Sequence, residues 1–256
     1  MTKLTRAVVV CLFLLATAPL ARANATAAAP APAPAPIRIT TSDLPPLSIE
    51  SGPGSPGALH EIVAELLRRT RLAGHIEFVP WQRAIYLTGN LSRTAIFPLT
   101  RSPERETRYR WLARLYHEHF LFLSIKGRRF DVTRPELDKE RRIGVLRGSL
   151  MIKVLRENGY RNIVEAASID ESLRFLRRGI VDAVFGDRAI YRASLDGMAF
   201  DNYLMSEPMR STTTWLGGSL DFSEADAALF QMAMKEMVED GSYALILKKY
   251  KLAPGP

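Results

Sequence analysis

The feature that most constrains the fold is an alternation of strand-like and helix-like segments, which occurs twice along the chain. The strand-like segments are short and apolar, and the segments between them carry apolar residues at helical spacing. One set occupies residues 37–99 and the other residues 142–194, with a polar stretch at 126–140 between them. Such alternation builds βαβ units, because parallel strands need a crossover between them. We therefore predict an α/β protein of two lobes, each a mainly parallel sheet flanked by helices.

The pattern assigns an element to most of the chain after residue 36. The predicted strands are residues 37–40, 76–80, 94–99, 142–145, 162–164 and 181–185. The predicted helices are residues 57–72, 81–87, 149–157, 169–177 and 187–194, followed by a C-terminal helical segment at 222–252 that breaks at Asp240-Gly241. Two further strand-like segments, 119–125 and 211–216, join the two sets as hinge strands. In this arrangement, lobe 1 consists of residues 37–122 and 214–256, and lobe 2 consists of residues 123–213.

The N-terminus has the pattern of a secretory signal peptide. Lys3 and Arg6 supply a positive start, and the apolar run at 7–16 is too short to span a bilayer as a helix. Small residues follow and provide a cleavage site near Ala23 or Ala25. We predict that residues 1–25 are removed and that the mature protein is periplasmic.

Cleavage also changes the cysteine count and the charge. Cys11 is the single cysteine and leaves with the signal peptide, so the mature chain is predicted to form no disulfide. The formal net charge of +8 falls by three, because the removed segment holds three basic residues and no acid. Residues 26–36 are Ala/Pro repeats, which favour an extended, semi-rigid linker over packed structure.

Charge and motifs argue against several function classes. The basic residues are spread along the chain with acids between them, and no RNA-binding motif or zinc-finger spacing accompanies them, so we expect no nucleic-acid partner. Metalloprotease, hydrolase and phosphate-loop motifs do not occur, so we expect no cofactor and no catalytic residues. His117 and His119 would lie on one face of a strand, but two histidines without further ligands are a weak basis for a metal site, and we expect none.

The most informative segment follows the buried strand at 94–99. Thr100 places a hydroxyl at the strand end, Ser102 and Pro103 have the pattern of an N-cap and a first helical residue, and Arg105 would lie in the first turn. A hydroxyl, a helix N-terminus and a guanidinium together suit a carboxylate. Ligands of open α/β sheets bind beyond the carboxyl ends of the strands, which is this location. An ordinary capped helix with a surface arginine explains the same residues equally well.

Two later turns repeat this strand-to-helix geometry. Arg147 and Ser149 follow the strand at 142–145, and Ser149 would cap the next helix. Asp187 follows the strand at 181–185 and would either hold an ammonium group or simply cap the helix that it precedes. Taken alone, a plain connecting loop and a plain cap are the simpler interpretations.

Several motifs together resemble the family 3 extracellular solute-binding proteins, the amino-acid-binding components of bacterial ABC uptake systems. These motifs are T-R-S-P-E-R at 100–105 followed by Trp111, G-I-V-D-A-V-F-G-D at 179–187, D-G-S-Y at 240–243 with Tyr250, and, as in a proteobacterial subgroup, D-L-P-P-L at 43–47 and P-W-Q-R-A at 80–84. The resemblance covers nearly all of residues 37–252. It implies the type II periplasmic-binding-protein fold, in which two lobes close on a ligand.

The resemblance also implies roles for individual residues. In the family, the residues matching Thr100 and Arg105 hold the α-carboxylate of the ligand, and the one matching Asp187 holds its α-amino group. Asp43 would lie at a wall of the cleft. Trp81 and Arg83 either line that cleft from lobe 1 or are a core tryptophan and a solvated arginine.

Three positions depart from the family pattern. Pro98 replaces a glycine and removes a backbone N–H that would face the ligand. Leu47 stands where an aromatic residue stacks on the ligand, and Leu150 stands where a small residue is common. These changes leave the fold expectation intact and point away from an ordinary amino-acid ligand.

We therefore predict a monomeric periplasmic binding protein without catalytic activity, which captures a small carboxylate-bearing ligand, an amino acid or a relative, and delivers it to an ABC permease. One alternative is a periplasmic enzyme on the same scaffold, similar to a prephenate or arogenate dehydratase, for which the arginines at 83, 101, 105 and 147 would suit a dicarboxylate. Such an enzyme needs a buried general acid near the cleft. Another alternative is a ligand sensor or accessory module without transport.

Overall fold

The computed structural model describes residues 35–50, 56–195 and 200–254. The predicted signal peptide and residues 26–34 of the predicted linker lie outside the described residues. The strands are β1 Ile37–Thr41, β2 Gly74–Phe78, β3 Thr94–Thr100, β4 Arg110–Ile125, β5 Ile143–Leu146, β6 Ile163–Ala166, β7 Ala183–Asp187, β8 Tyr203–Met205 and β9 Arg210–Gly218. The helices are α1 Ala58–Thr70, α2 Trp81–Asn90, α3 Met151–Glu157, α4 Ile169–Arg177, α5 Arg188–Ser194, α6 Glu224–Glu239 and α7 Ser242–Lys249. None of the described helices is long and apolar enough to cross a membrane.

The nine described strands form one open sheet in the order β2-β1-β3-β9-β4-β7-β5-β6, with β8 paired to β4. At one end, β1 pairs in parallel with both β2 and β3. At the other, β5 pairs in parallel with β6 and β7. The long strands β9 and β4 run antiparallel to each other and join the two parallel sets. This mixed α/β arrangement agrees with the predicted architecture of two parallel sets connected by two long strands.

Capping explains where several helices begin. Ser168 accepts a hydrogen bond from the backbone N–H of Glu171, which fixes the start of α4. At α6, Ser223 and Asp226 form a capping box in which each side chain accepts from the backbone of the other. These local signals lie in the sequence, and the predicted and observed bounds of α4 coincide.

The apolar faces of the helices pack on the sheet. One large cluster joins β1, β3 and the middle of β4 to α1, α4, α6 and α7, and includes the fully buried Leu59, Phe97 and Phe230. A second cluster lies around β5 and α3, with Phe122 at its centre. A smaller third cluster contains Trp81 beside the end of β3.

The structure corrects the sequence prediction at two places. The hinge strand predicted at 119–125 is 16 residues long and begins at Arg110, because its first half pairs with β9. The helix predicted to begin at Pro103 is only the three-residue 3₁₀ turn Pro103–Arg105. A single turn of this kind presents no row of free backbone N–H groups, so the predicted helix N-terminus in the carboxylate site is wrong.

Candidate functional site

A small cavity lies where the carboxyl ends of β3, β5 and β7 face the middle of β4. Its polar lining consists of Trp81, Thr100, Arg105, Glu118, Ser149 and Asp187. Its volume is about 60 Å³. Five of the eight residues predicted for the site thus line one cavity, at the strand ends where open α/β sheets bind their ligands.

Arg105 is held at this cavity by the end of β3. Its Nη1 donates a hydrogen bond of 2.9 Å to the carbonyl oxygen of Thr100. Burial lowers the pKa of the guanidinium, opposed by weaker contributions that include Glu118. No carboxylate lies within 4.0 Å of Arg105 among the described residues, and only one of its five N–H donors has a hydrogen-bond partner there. Arg105 therefore has donors available for a carboxylate ligand.

Glu118 lines the cavity and is absent from the residues that the sequence predicted for the site. It projects from the middle of β4 and is 4% exposed. Its Oε2 accepts a hydrogen bond of 3.3 Å from the hydroxyl of Thr100. Burial raises the pKa of this carboxyl well above its usual value, and the neighbouring Asp187 raises it further, while Thr100 and Arg105 oppose the shift. The cavity therefore contains a buried carboxyl group with unused acceptor capacity.

Asp187 ends β7 and begins α5. Its Oδ1 accepts from the backbone N–H groups of Ala189 and Ile190, so it is the N-cap of α5, as the simpler interpretation of the sequence held. Its Oδ2 accepts from the backbone N–H of His119 at 2.9 Å. Burial raises the pKa of Asp187 to about 6, although these three hydrogen bonds favour the ionised form. The same carboxyl thus caps a helix, holds β7 against β4 and lines the cavity.

Ser149 and Trp81 complete the polar lining. Ser149 Oγ accepts from the backbone N–H of Met151 at 3.2 Å. The N-cap of α3 is Leu150, one residue later, so the prediction that Ser149 caps this helix is wrong. Trp81 is the first residue of α2, and its indole Nε1 is buried without a hydrogen-bond partner among the described residues. A buried indole N–H without a partner is a donor that a ligand acceptor would satisfy.

The turn after β5 lies against α2 and brings the two parallel sets together at the cavity. Gly148 has a φ of +76°, which glycine adopts without strain. A Cβ at this position would lie 3.4 Å from Ile85 and 3.7 Å from Trp81. Nearby, an ion pair joins Lys153 of α3 to Glu104 beside the end of β3. These contacts join elements of the two parallel sets.

Three predicted site residues lie outside the cavity. Asp43 is exposed and accepts from the backbone N–H of Glu50. Arg83 is exposed on α2, and Arg147 is exposed with its Nε 3.8 Å from Glu165. Since none of the three lines the cavity, the structure supplies no site role for them.

The fourth arginine of the predicted basic set also lies elsewhere. Arg101 forms a bidentate pair with Glu106 at 2.7 and 2.9 Å. Its guanidinium stacks over the rings of Trp111 and Trp215, at 5.2 and 4.9 Å from their centroids. Arg105 is therefore the single arginine of the predicted set that lines the cavity.

The rest of the cavity wall is apolar. It consists of Leu44, Pro98, Phe120, Leu146, Leu150, Ile169, Phe185, Gly186 and Ile190. Pro98 and Leu150 line the cavity, as their places in the sequence predicted. Leu47 does not, because it is fully buried in the core, and Leu44 of the same loop lines the cavity in its place. Apolar walls around a few polar groups are typical of small-molecule sites.

The histidines beside Glu118 lie on the other face of β4. The rings of His117 and His119 are 5.0 Å apart, and Nδ1 of His119 is 2.8 Å from the hydroxyl of Ser211. In the part of the chain that the structure describes, no group of three or more metal-ligating side chains occurs.

Comparison with known proteins identifies the fold. No family model matches the chain, and no curated protein sequence matches it. Solved structures do match. A histidine kinase sensor domain with similarity to periplasmic binding proteins superposes with a TM-score of 0.76 at 15% identity, covering 86% of this chain and 98% of that one. An ancestral arginine-binding protein bound to glutamine gives 0.74 at 17% identity, covering 84% and 96%.

A third structure is the arginine-, lysine-, histidine-binding protein ArtJ from Geobacillus stearothermophilus, with a TM-score of 0.73 at 16% identity and coverage of 84% and 95%. The fold of this chain is therefore the two-lobed periplasmic-binding-protein fold, as the sequence resemblance predicted. At these identities the likeness defines the fold, and the ligand has to be argued from the cavity itself.

Proposed function

We propose that this protein is a periplasmic solute-binding protein whose ligand is a small zwitterion carrying a carboxylate and an ammonium group. The observation that carries the proposal is the juxtaposition of Arg105 with Glu118 and Asp187 in one small cavity. A guanidinium and two buried carboxyls that line one cavity offer a partner for each of the opposite charges of an amino acid or a close relative.

The contacts of each group suggest how the ligand is oriented. The carboxylate binds the free donors of Arg105, with the indole Nε1 of Trp81 as a further donor. The ammonium lies toward Glu118, which accepts one long hydrogen bond in the structure, and Asp187, which accepts three. Glu118 is thus the stronger candidate for a direct bond, because its acceptor capacity is less used.

The size and lining of the cavity limit the ligand side chain. The volume of about 60 Å³ lies well below the roughly 300–1,000 Å³ of typical small-molecule sites. Leu150 and Pro98 narrow the space, and the remaining wall is apolar. We therefore favour a ligand with a small, apolar side chain. A longer cationic or acidic side chain would require the lobes to separate further and would meet no additional charged partner among the described lining residues.

A binding screen tests this proposal. The mature protein, residues 26–256, is heated with amino acids, polyamines and dicarboxylates, and a ligand is recognised by its increase in melting temperature. Replacing Arg105 with alanine is expected to raise the Kd by about 10- to 100-fold, because charge-assisted hydrogen bonds contribute about 1.5–3 kcal/mol. Arg108→Ala is the matched control, since this exposed arginine does not line the cavity. Equal affinities for the two variants would refute the site.

The domain boundaries and the cellular role belong to the same proposal. The lobes are residues 37–122 plus 214–256 and residues 123–213, so both boundaries fall within β4 and β9. We propose export by the N-terminal signal, action as a monomer and delivery of the ligand to an ABC permease, which the likeness to periplasmic binding proteins supports. The likeness to a kinase sensor domain supports a sensor role as the alternative. Ligand uptake by cells that lack the gene distinguishes transport from sensing.

A second candidate function is an enzyme on this scaffold. One observation favours it: Glu118 is a buried carboxyl with a raised pKa, the property required of a general acid. The dicarboxylate substrate is disfavoured, because Arg83, Arg101 and Arg147 lie outside the cavity. Incubating each stabilising ligand with the protein and following it by NMR decides between the two: turnover that Glu118→Gln abolishes supports the enzyme, and an unchanged ligand supports the binding protein.

A further inference from the structure

A second, larger cavity lies on the opposite face of β4. It has a volume of about 640 Å³ and is bounded by β4, by α5 and by the C-terminal segment 249–254. His117 and His119 face it from β4, where successive side chains point to opposite sides of the sheet, while Glu118 lines the first cavity. Its volume is within the range of small-molecule sites, which run from about 300 to 1,000 Å³.

The charged lining of this second cavity is strongly basic. Arg188 and Arg192 of α5 face Lys249 and Lys251 of the C-terminal segment. Asp187 is the one acid among the described lining residues, and its two oxygens already accept three backbone N–H groups. Of the four cations, only Lys249 has a carboxylate within ion-pair distance among the described residues, that of Glu61.

Two buried nitrogen atoms in this lining lack a hydrogen-bond partner among the described residues. They are Nε of Arg188 and Nδ1 of His117. Burial lowers the pKa of His119, and the positive charges of Arg188 and His117 lower it further. A buried donor without a partner costs free energy, on the order of 1–3 kcal/mol, so an acceptor that reaches Arg188 would stabilise the protein.

We propose that this cavity is a second binding site for a small multivalent oxyanion of the phosphate or polyphosphate class. It is distinct from the first cavity, which contains Arg105 and Glu118 and is called the zwitterion site below. Arg188 would contact the anion at the floor of the cavity. Arg192 and Lys251 would contact it from two separate segments of the chain. Guanidinium groups suit phosphate-type oxygens because their fork of donors binds two oxygens at once. The site does not depend on the proposed function of the first cavity.

The experiment uses the mature protein with sodium pyrophosphate or sodium phosphate as the probe, and sodium chloride at equal ionic strength as the salt control. Because Arg192 and Lys251 are exposed, the double variant Arg192→Gln/Lys251→Gln is expected to fold. The matched control is Arg156→Gln/Lys248→Gln, which removes the same two charges from exposed positions outside the cavity. Melting temperature and calorimetric titration are measured for all three proteins.

The melting temperature is expected to increase saturably with at least one of the two phosphate anions. The Kd for that anion is expected to increase at least tenfold in the Arg192→Gln/Lys251→Gln variant and to stay unchanged in the control variant. Two results overturn the proposal. One is an increase that sodium chloride reproduces, and the other is equal binding by both double variants. Because neither variant touches Arg105, a failure here leaves the proposed function of the first cavity intact, and loss of zwitterion binding in Arg105→Ala leaves this site intact.

Discussion

Asp187→Asn isolates the energetic cost of keeping a carboxylate between the two cavities. Asparagine keeps an oxygen that can cap α5 but removes the charge. In the folded protein, burial raises the pKa of Asp187 from its usual 3.8 to about 6. This difference in pKa corresponds to a contribution of about 3 kcal/mol to the free energy of unfolding, at about 1.36 kcal/mol for each pKa unit.

The sign of the pH dependence follows from this direction. Between pH 4 and pH 6 the folded state binds more protons at Asp187 than the unfolded state, so the free energy of unfolding falls as the pH rises. The stabilising contribution is fully present below the unfolded pKa and is lost as the pH rises through about 6. The asparagine variant lacks this loss. Its stability relative to the parent protein is therefore expected to increase by up to about 3 kcal/mol from pH 4 to pH 7.

The assay is urea unfolding at half-unit intervals between pH 4 and pH 7. Both proteins carry Glu118→Gln, so that the neighbouring carboxyl does not titrate. Asp226→Asn is the control, because its effect on the free energy of unfolding is expected to have the opposite sign. Burial opposes the ionised form of Asp226, but hydrogen bonds from Ser223 and the charge of Arg93 outweigh it and lower the pKa. Asp226 therefore stabilises the fold above the unfolded pKa, and its asparagine variant is expected to be less stable throughout this range.

One result would refute this account. If the stability difference between Asp187→Asn and its parent is flat from pH 4 to pH 7 while the Asp226 control behaves as expected, Asp187 ionises without a burial penalty. The carboxyl would then have solvent access in solution, and the burial of Asp187 would be the wrong description of this site.

The remaining predictions concern the residues around the zwitterion site. Binding of an ammonium beside Glu118 is expected to release protons, because the pKa of this carboxyl is raised by burial and a cation lowers it again. Calorimetry in two buffers of different ionisation enthalpy measures this release, which Glu118→Gln should reduce. Arg147→Ala is expected to leave the ligand Kd unchanged, since Arg147 faces Glu165 at the surface, and a loss of affinity would contradict the placement. Gly148→Ala is expected to lower the free energy of unfolding by about 1–2 kcal/mol, because alanine is strained at a φ of +76°, which urea unfolding of both proteins checks.

The sequence predicted the parallel sets well because their elements carry local signals. Helix α4 has Ser168 as its cap and a regular apolar stripe, and its bounds coincide with the prediction. The first half of β4 lacked such a signal. Arg110, Arg114 and Glu118 interrupt its apolar pattern, and the segment becomes a strand because β9 provides a partner more than 90 residues later in the chain. Strand β8, with three residues, is too short for periodicity to detect.

The same difference between local and long-range sequence information explains which residues of the site could be predicted. Thr100, Ser149 and Asp187 each follow a buried strand, so the rule that ligands bind at the carboxyl ends of strands brought them together in the prediction. Glu118 lies in mid-strand on a hinge segment, where that rule gives no signal. A signal did exist, because alternation along β4 places Glu118 opposite in direction to the two histidines beside it. The sequence did not reveal that β4 begins at Arg110, so the side chains of β4 that face the cavity could not be assigned.

The register of β4 is what assigns opposite chemistry to the two cavities. Two bulges interrupt its pairing with β9, and each places one extra residue of β4, Leu112 and Leu115, between paired positions. The hydroxyl of Tyr243 donates to the carbonyl oxygen of Leu115, which holds the second bulge in place. Because paired residues of antiparallel strands point to the same side of the sheet, the pairing beyond these bulges, Glu118 with Thr212 and His119 with Ser211, sets the face on which each side chain lies. The charge pattern of both sites therefore depends on a pairing with β9 that no local sequence pattern specifies.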